Sequence, residues 1–108
     1  MVEKLKKNKE YKLVFTNGKK LNGKNFNLQF LNTELSLTRI GITVSKKLGN
    51  ASKRNLVKRR IRSLLKINFL QKDTASRDLV IVAKMGALTE KFQDLSNELK
   101  FLLKKIEN

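Results

Sequence analysis

The sequence predicts an α/β fold, an α+β sandwich in which a small mixed sheet packs with helices in the order α-β-β-α-β-α. Apolar and polar residues alternate in two segments, whereas apolar residues recur at helical spacing in others. The chain has 108 residues and 40% hydrophobic content. That length and content suffice for one core, so we expect a single domain over residues 1–108.

A short N-terminal helix is predicted to end in the sequence YKLVF, residues 11–15. Leu5 and Lys12 lie in its span, and Gly18 is the expected stop, because glycine commonly follows a helix. A turn is predicted at Asn22-Gly23, since Asn-Gly is a strong turn signal.

Three strands are predicted after this helix. The sequence NFNLQFLN alternates apolar residues with Asn27 and Gln29, and residues 37–44 (LTRIGITV) repeat the pattern, so each has one buried face. Because only a short connection around Glu34 separates these two strands, we expect them to form an antiparallel pair. Residues 77–84 (RDLVIVAK) form a continuous apolar run, typical of a strand covered on both faces.

A C-terminal helix is predicted from Thr89, its expected N-cap. Six apolar residues follow at helical spacing and should face the core: Phe92, Leu95, Leu99, Leu102, Leu103 and Ile106.

The remaining helix, residues 51–69, is strongly basic. Its core-facing arc is predicted to contain Val57, Ile61, Leu64 and Leu65. A second arc contains Asn55, Lys58, Arg59, Arg62 and Lys66. Leu56 and Ile67 lie outside both arcs and are expected to contact a second packing neighbour.

The charge of the whole chain predicts its partners. There are 25 Lys and Arg against 9 Asp and Glu, a net charge of +16, which favours nucleic acid first and an acidic membrane surface second. With no Cys and no His, disulfides, zinc fingers, thiol catalysis and the usual general base are excluded. The carboxylates are scattered, so neither a protein-only active site nor a metal pair is expected.

The basic helix is poorly explained as an ordinary solvated face. No acidic residue occurs between Glu34 and Asp73, although such faces normally mix charges. Gly49-Asn50 is the predicted loop and N-cap. Four cations therefore gather at the positive end of the helix dipole, where each forgoes or opposes roughly 0.3–1 kcal/mol: Lys46, Lys47, Lys53 and Arg54. Binding of phosphates would reward both these cations and the free N–H groups.

Two candidate partners of the basic helix, a membrane and DNA, are less favoured. Membrane binding favours Trp or Phe on the apolar face, and this helix has only Val, Ile and Leu there. A DNA reader would need a helix-turn-helix context that is missing, so no DNA partner is expected. No apolar run approaches the roughly 18 residues of a membrane span, and the N-terminus lacks a secretory apolar block. We therefore expect a cytoplasmic protein without a membrane partner.

Residues 44–62, VSKKLGNASKRNLVKRRIR, resemble the signature of the protein subunit of bacterial ribonuclease P. The resemblance extends to LKKNKEYKLVFTNG near the N-terminus. It implies a fold resembling the second domain of ribosomal protein S5, with a left-handed β-α-β crossover. It also implies a catalytic RNA subunit that holds most of the Mg²⁺ and cleaves precursor tRNA at the mature 5′ end.

The resemblance implies two binding surfaces. The first binds ribonuclease P RNA, and the family pattern places Arg54, Asn55, Lys58, Arg59 and Arg62 on it, with Lys46, Lys47 and Asn50 beside them. Lys53, at the start of the helix, and Lys66, in its polar arc, complete the predicted RNA-binding surface. The second is a cleft for the single-stranded 5′ leader of precursor tRNA, and it comprises Tyr11, Phe15, Asn27 and Gln29. Their spacing alone favours a different role for Tyr11 and Phe15, in which both belong to the apolar side of their helix and face the core.

This chain departs from the family pattern at two positions. The signature of this family contains an Arg-Asn-Arg motif, which corresponds here to Arg54, Asn55 and Leu56. Leu56 therefore removes a cation, which Arg60 or Lys53 could replace. Gln29 stands where relatives often have Tyr, and Gln stacks poorly on bases. A rival interpretation is a purely structural RNA-binding protein such as a ribosomal component, but the long ordered signature favours ribonuclease P.

Overall fold

The computed structural model describes residues 2–35, 37–68 and 76–107. One five-stranded sheet has the strand order β1-β4-β5-β3-β2. The strands are β1 Val2–Lys4, β2 Lys19–Asn22, β3 Phe26–Asn32, β4 Thr38–Val44 and β5 Arg77–Ala83. The helices are α1 Asn8–Asn17, α2 Ala51–Asn68, α3 Gly86–Thr89 and α4 Phe92–Glu107, and a 3-10 helix spans Lys46–Leu48.

The sheet is mixed, as the sequence predicts. β4 pairs in parallel with β1 and β5, whereas β3 pairs antiparallel with β5 and β2. α2 connects the parallel neighbours β4 and β5, so the predicted β-α-β unit is present; its left-handedness stays a prediction. The predicted turn at Asn22-Gly23 joins β2 to β3.

The predicted antiparallel pairing of β3 with β4 is wrong. β5 lies between them and pairs with both, Leu79 lying beside Ile40 on one side and Phe30 on the other. The reason is burial: β5 is the most continuously apolar strand, and only the centre of the sheet covers both its faces and both its edges. The alternation patterns of β3 and β4 identify a buried face but not a neighbour.

The larger core lies between the sheet and helices α2 and α4. Leu28, Ile61, Ile81 and Leu99 are completely buried there. The smaller core lies on the opposite face, under α1, and contains Leu5, Val14 and Val80, with Tyr11, Leu31 and Val82 packed against them. Coverage of β5 on both faces is therefore confirmed.

Some element boundaries differ from those predicted. β1, β2 and α3 were not expected, and Leu5 precedes α1 rather than lying within it. Thr89 ends the short α3 instead of capping α4, because the chain turns once more before Phe92. Residue 69, the predicted end of the basic helix, lies outside the described residues.

Three apolar residues are exposed against expectation. Phe92 is 38% exposed because it begins α4, one turn before Leu95 enters the core. Leu56 and Ile67 are 40% and 67% exposed, so neither is packed as a core residue. Arg60, which lies between them on α2, bonds to the end of α3, a helix of only four residues.

An ion-pair network attaches α1 to the sheet. The Arg39 guanidinium donates to Asp78 through Nε at 2.8 Å and Nη2 at 2.7 Å, and its Nη1 donates to Glu10 of α1. Asp78 is buried and Arg39 is largely covered. Because Val14 is the one buried residue that α1 contributes, this network supplements a small apolar contact.

We predict that Glu10→Gln destabilises the protein at neutral pH but not in acid. The pKa of Glu10 is lowered from its ordinary 4.5, first by the Lys7 N–H and, among smaller causes, by Arg39, against the opposing effect of burial. A lowered folded-state pKa gives stability that is fully present above 4.5 and is lost as the pH falls through the lowered value. Urea unfolding of wild type and variant at several pH values should show their difference shrinking in acid. Glu34→Gln, exposed in the connection between β3 and β4, is the control, and a pH-independent difference would contradict the prediction.

Candidate nucleic-acid interface

The start of α2 is shaped by two capping side chains and one glycine. Ser45 Oγ accepts the Lys47 N–H at 3.0 Å, and Asn50 Oδ1 accepts the Lys53 N–H at 3.0 Å, so the predicted N-cap at Asn50 is present. Gly49 has φ of 130°, a conformation that glycine adopts most readily. These local interactions hold exposed Lys46 and Lys47 beside the N-terminus of α2.

The polar arc of α2 forms a concave, basic face. A cavity of about 490 Å³ is lined by Ser52, Asn55, Lys58, Arg59 and Arg62. Four of these five belong to the predicted arc, and Lys66 continues the arc one turn beyond Arg62. Ser52 was missed, although its spacing of three from Asn55 and seven from Arg59 puts it on the same face.

The charge of this face is uncompensated. Among the described residues, ion pairs join Lys24 to Glu90 and Arg39 to Glu10 and Asp78, and none involves a cation of α2. Lys58 and Arg62 are four residues apart on the helix, a spacing at which like charges repel. The face therefore gains most from a polyanion that neutralises several cations together.

Two arginines of α2 lie outside the arc for structural reasons. Arg60 Nη1 donates to the carbonyls of Ala87 at 3.1 Å and Leu88 at 2.7 Å, and its Nη2 donates to that of Glu90. The guanidinium thus caps the end of α3, so Arg60 does not replace the cation missing at Leu56. Arg54 is half-buried with a buried Nε, in agreement with its predicted place near the apolar arc.

The two aromatic residues of α1 have different environments. The Tyr11 ring lies against Gly41, where an added Cβ would come within 2.5 Å of the ring. Its hydroxyl donates to the Leu5 carbonyl at 3.4 Å, and burial raises its pKa above the ordinary 10.0. Phe15 is 44% exposed, its ring centroid 6.4 Å from that of Tyr11. Tyr11 therefore partly fits the interpretation that the aromatic residues of α1 face the core, whereas exposed Phe15 does not.

Asn27 and Gln29 share the face of the sheet on which α1 packs. Both are half-buried. Gln29 lies between Val80 of β5 and Lys20 of β2. Lys20 was missed by the sequence analysis, but the hairpin around Asn22-Gly23 would have identified it as the cross-strand partner of Gln29.

The two surfaces meet at the edge of β4. A cavity of about 210 Å³ is lined by Tyr11 and Gly41 together with Lys58 and Arg62 of α2. β1 pairs with β4 only as far as Ile40, so the edge beyond that residue is not covered by a strand. The basic face and the aromatic side chains of α1 are therefore neighbours in space, although residues 11 and 58 are far apart in sequence.

The described ranges, residues 2–35, 37–68 and 76–107, show neither a metal cluster nor a membrane span. No group of three or more potential metal-ligating carboxylates occurs in them. None of their helices combines the length and hydropathy needed to cross a membrane.

Comparison with known proteins identifies a family. The family model described as Ribonuclease P matches residues 2–107. The ribonuclease P protein component of Syntrophus aciditrophicus is 38% identical over 103 residues, covering 95% of this chain and 86% of the relative. The ribonuclease P protein component of Finegoldia magna is 35% identical over 105 residues, covering 97% of this chain and 91% of the relative.

Solved structures agree with the sequence relatives. The RNase P protein from Thermotoga maritima superposes with a TM-score of 0.84 at 28% identity, covering 98% of this chain and 99% of that one. The Staphylococcus aureus RNase P protein superposes with a TM-score of 0.83 at 31% identity, covering 95% of this chain and 94% of that one.

We predict that Arg60 and Arg59, adjacent in sequence, differ in their effect on stability. Arg60→Ala should lower the free energy of unfolding by roughly 1–3 kcal/mol, because three carbonyls lose their donor. Arg59→Ala should change it by no more than about 0.5 kcal/mol, because Arg59 is exposed. Urea denaturation of both variants measures the contrast, and equal losses would contradict the structural role assigned to Arg60.

Proposed function

Because this chain belongs to the ribonuclease P protein family, we propose that its basic helix binds the catalytic RNA and that the cleft beside α1 binds the 5′ leader of precursor tRNA. Ribonuclease P is a tRNA 5′-processing endoribonuclease, and this family supplies the protein subunit of the ribonucleoprotein. The proposal concerns which surface of the subunit binds which RNA.

The uncompensated basic face of α2 is the observation that carries the proposal. RNA phosphates neutralise cations and release counterions, so an array of unpaired cations on a concave surface favours RNA binding. The proposed surface consists of Lys46, Lys47, Asn50, Lys53, Arg54, Asn55, Lys58, Arg59, Arg62 and Lys66. Ser52 is added because it lines the same cavity.

The leader cleft is supported by exposure and by position. Phe15 presents an exposed ring, and an aromatic face stacks on any base, which suits a single strand of variable sequence. Half-buried Tyr11 lies beside it, with ring centroids 6.4 Å apart, and Asn27 and Gln29 contribute hydrogen-bonding groups on the face of the sheet that α1 covers. Lys20, beside Gln29, offers a cation for a leader phosphate.

Catalysis is proposed to reside in the RNA subunit, with Mg²⁺ held mainly by RNA. Among the described residues no carboxylate cluster suited to a metal ion is present, so the protein acts by placing RNA and by neutralising charge. We assign the subunit to the cytoplasm, where bacterial precursor tRNA is processed.

Reconstitution tests the proposal directly. The purified protein is mixed with a bacterial ribonuclease P RNA and 5′-labelled precursor tRNA at low Mg²⁺, with each component alone as control. We expect cleavage at the mature 5′ end that needs the RNA and is accelerated by the protein. Salt-sensitive RNA binding without accelerated cleavage would instead support a purely structural RNA-binding role.

We predict that Arg59→Ala and Arg62→Ala each weaken binding of the RNA subunit and lower the slope of log K against log salt by about one. Both side chains are exposed and line the α2 cavity. Filter binding over a series of salt concentrations measures the slope. Lys100→Ala, an exposed cation of α4, is the matched control, and unchanged slopes in both arginine variants would refute the assignment.

We predict that Phe15→Ala weakens binding of precursor tRNA with a leader by roughly 1–3 kcal/mol and leaves mature tRNA unaffected. The holoenzyme is titrated with both substrates. Leu13→Ala is the control, because Leu13 is similarly exposed on the same helix, at 47% against 44%. Equal losses for the two substrates would assign Phe15 to the packing of α1 instead.

A further inference from the structure

A groove separates the edge strand β1 from the second half of α2. Its volume is about 590 Å³, within the range of ligand pockets. Its floor is aliphatic and is formed by Ile40, Ile42 and Leu65. Its rim is charged and is formed by Glu3, Lys4, Lys6, Arg62 and Lys66.

The groove lies where the edge strand has a charged residue, Lys4, beside the apolar layer under α2. Lys4 is the register partner of Ile40, so the two residues share the face of the sheet that α2 covers. Ile40 is only 7% exposed, whereas Lys4 is exposed. An apolar residue at position 4 would extend the core to the edge and fill the space beside Leu65.

The residues that line the groove favour a ligand with both an anionic part and an apolar part. Four cations face one carboxylate, that of Glu3, and among the described residues none of the four forms an ion pair. The rim therefore favours an anion, whereas the aliphatic floor favours a flat group that gives up its water readily. A nucleotide has both parts, an anionic phosphate and a base with apolar faces.

The position of the groove indicates which nucleic acid supplies that nucleotide. Arg62 lines the groove and also the concave basic face of α2. An RNA on that face therefore reaches the groove without leaving the surface of the protein. A base that is paired in a helix cannot lie on the floor, because its faces are covered by stacking.

We propose that this groove binds one unpaired nucleotide of the RNA subunit. Its base lies over Ile40, Ile42 and Leu65, and its flanking phosphates contact Lys4, Lys6 and the two cations of α2. The inference rests on the proposed function, in which α2 binds that RNA, and it adds a site that recognises a base rather than phosphates alone.

Photocrosslinking tests the site in the assembled holoenzyme. The chain contains no Cys, so Lys4→Cys provides a unique thiol for a photoactivatable reagent. We expect crosslinks to one or a few adjacent unpaired nucleotides of the RNA subunit. The same reagent at Lys100→Cys, on α4, should not reach them. Absence of crosslinks from position 4, crosslinks to precursor tRNA, or the same pattern from both positions would overturn the proposal.

A pair of substitutions separates the base contact from the phosphate contact. Lys4→Gln removes a charge but leaves the groove open, so it should lower the salt slope by about one. Lys4→Phe also fills the groove, so it should weaken RNA binding by about a further tenfold. The RNA base that crosslinks from position 4 should then react with a base-modifying reagent as it does in the free RNA. Because Lys4 is exposed on an edge strand, circular dichroism should show both variants folded.

The two proposals fail in different ways. Arg59 lines the basic face but not the groove, so Arg59→Ala reports on the RNA surface alone. If Arg59→Ala weakens RNA binding while Lys4→Phe binds like Lys4→Gln, the nucleotide site is refuted and the RNA surface stands. If neither Arg59→Ala nor Arg62→Ala weakens RNA binding, the RNA surface is refuted and the nucleotide site with it.

Discussion

Burial of β5 on both faces is the constraint on which the rest of the molecule depends. A strand with Leu79, Val80 and Ile81 all completely buried needs helices on both sides of the sheet. α2 and α4 cover one side, and α1 covers the other. Both proposed RNA surfaces follow from this arrangement, because the helix that carries each one is also a layer that covers β5.

The protein separates the residues that stabilise it from those proposed to bind RNA. Three completely buried side chains hold α2 against the core: Val57, Ile61 and Leu64. Arg60 also donates hydrogen bonds to carbonyls at the end of α3. The outward arc is then free to hold like charges that weaken the helix by a few tenths of a kcal/mol per pair. Burial of the apolar arc therefore offsets the cost of this charge on α2.

α1 is attached differently, by one buried side chain and one charged network. Arg39 joins Glu10 to Asp78 across the sheet, and Gly41 leaves room for the Tyr11 ring. The small contact leaves Phe15 exposed beside the sheet. The Tyr11 ring therefore depends on its close approach to Gly41 of β4, a strand that also contributes Ile40 and Ile42 to the groove under α2.

Local patterns were enough to determine the basic arc of α2, its apolar arc, its N-cap and the two-sided burial of β5, because each depends on neighbours within a few turns or on the chain's own hydropathy. The ribonuclease P signature likewise lies within one continuous segment. Strand order, β1 and the role of Arg60 depended on residues distant in sequence, such as Ala87 and Leu88. The groove beside Lys4 arose in the same way. Its floor and its rim come from β1, β4 and α2, and only the folded sheet brings these three elements to one edge.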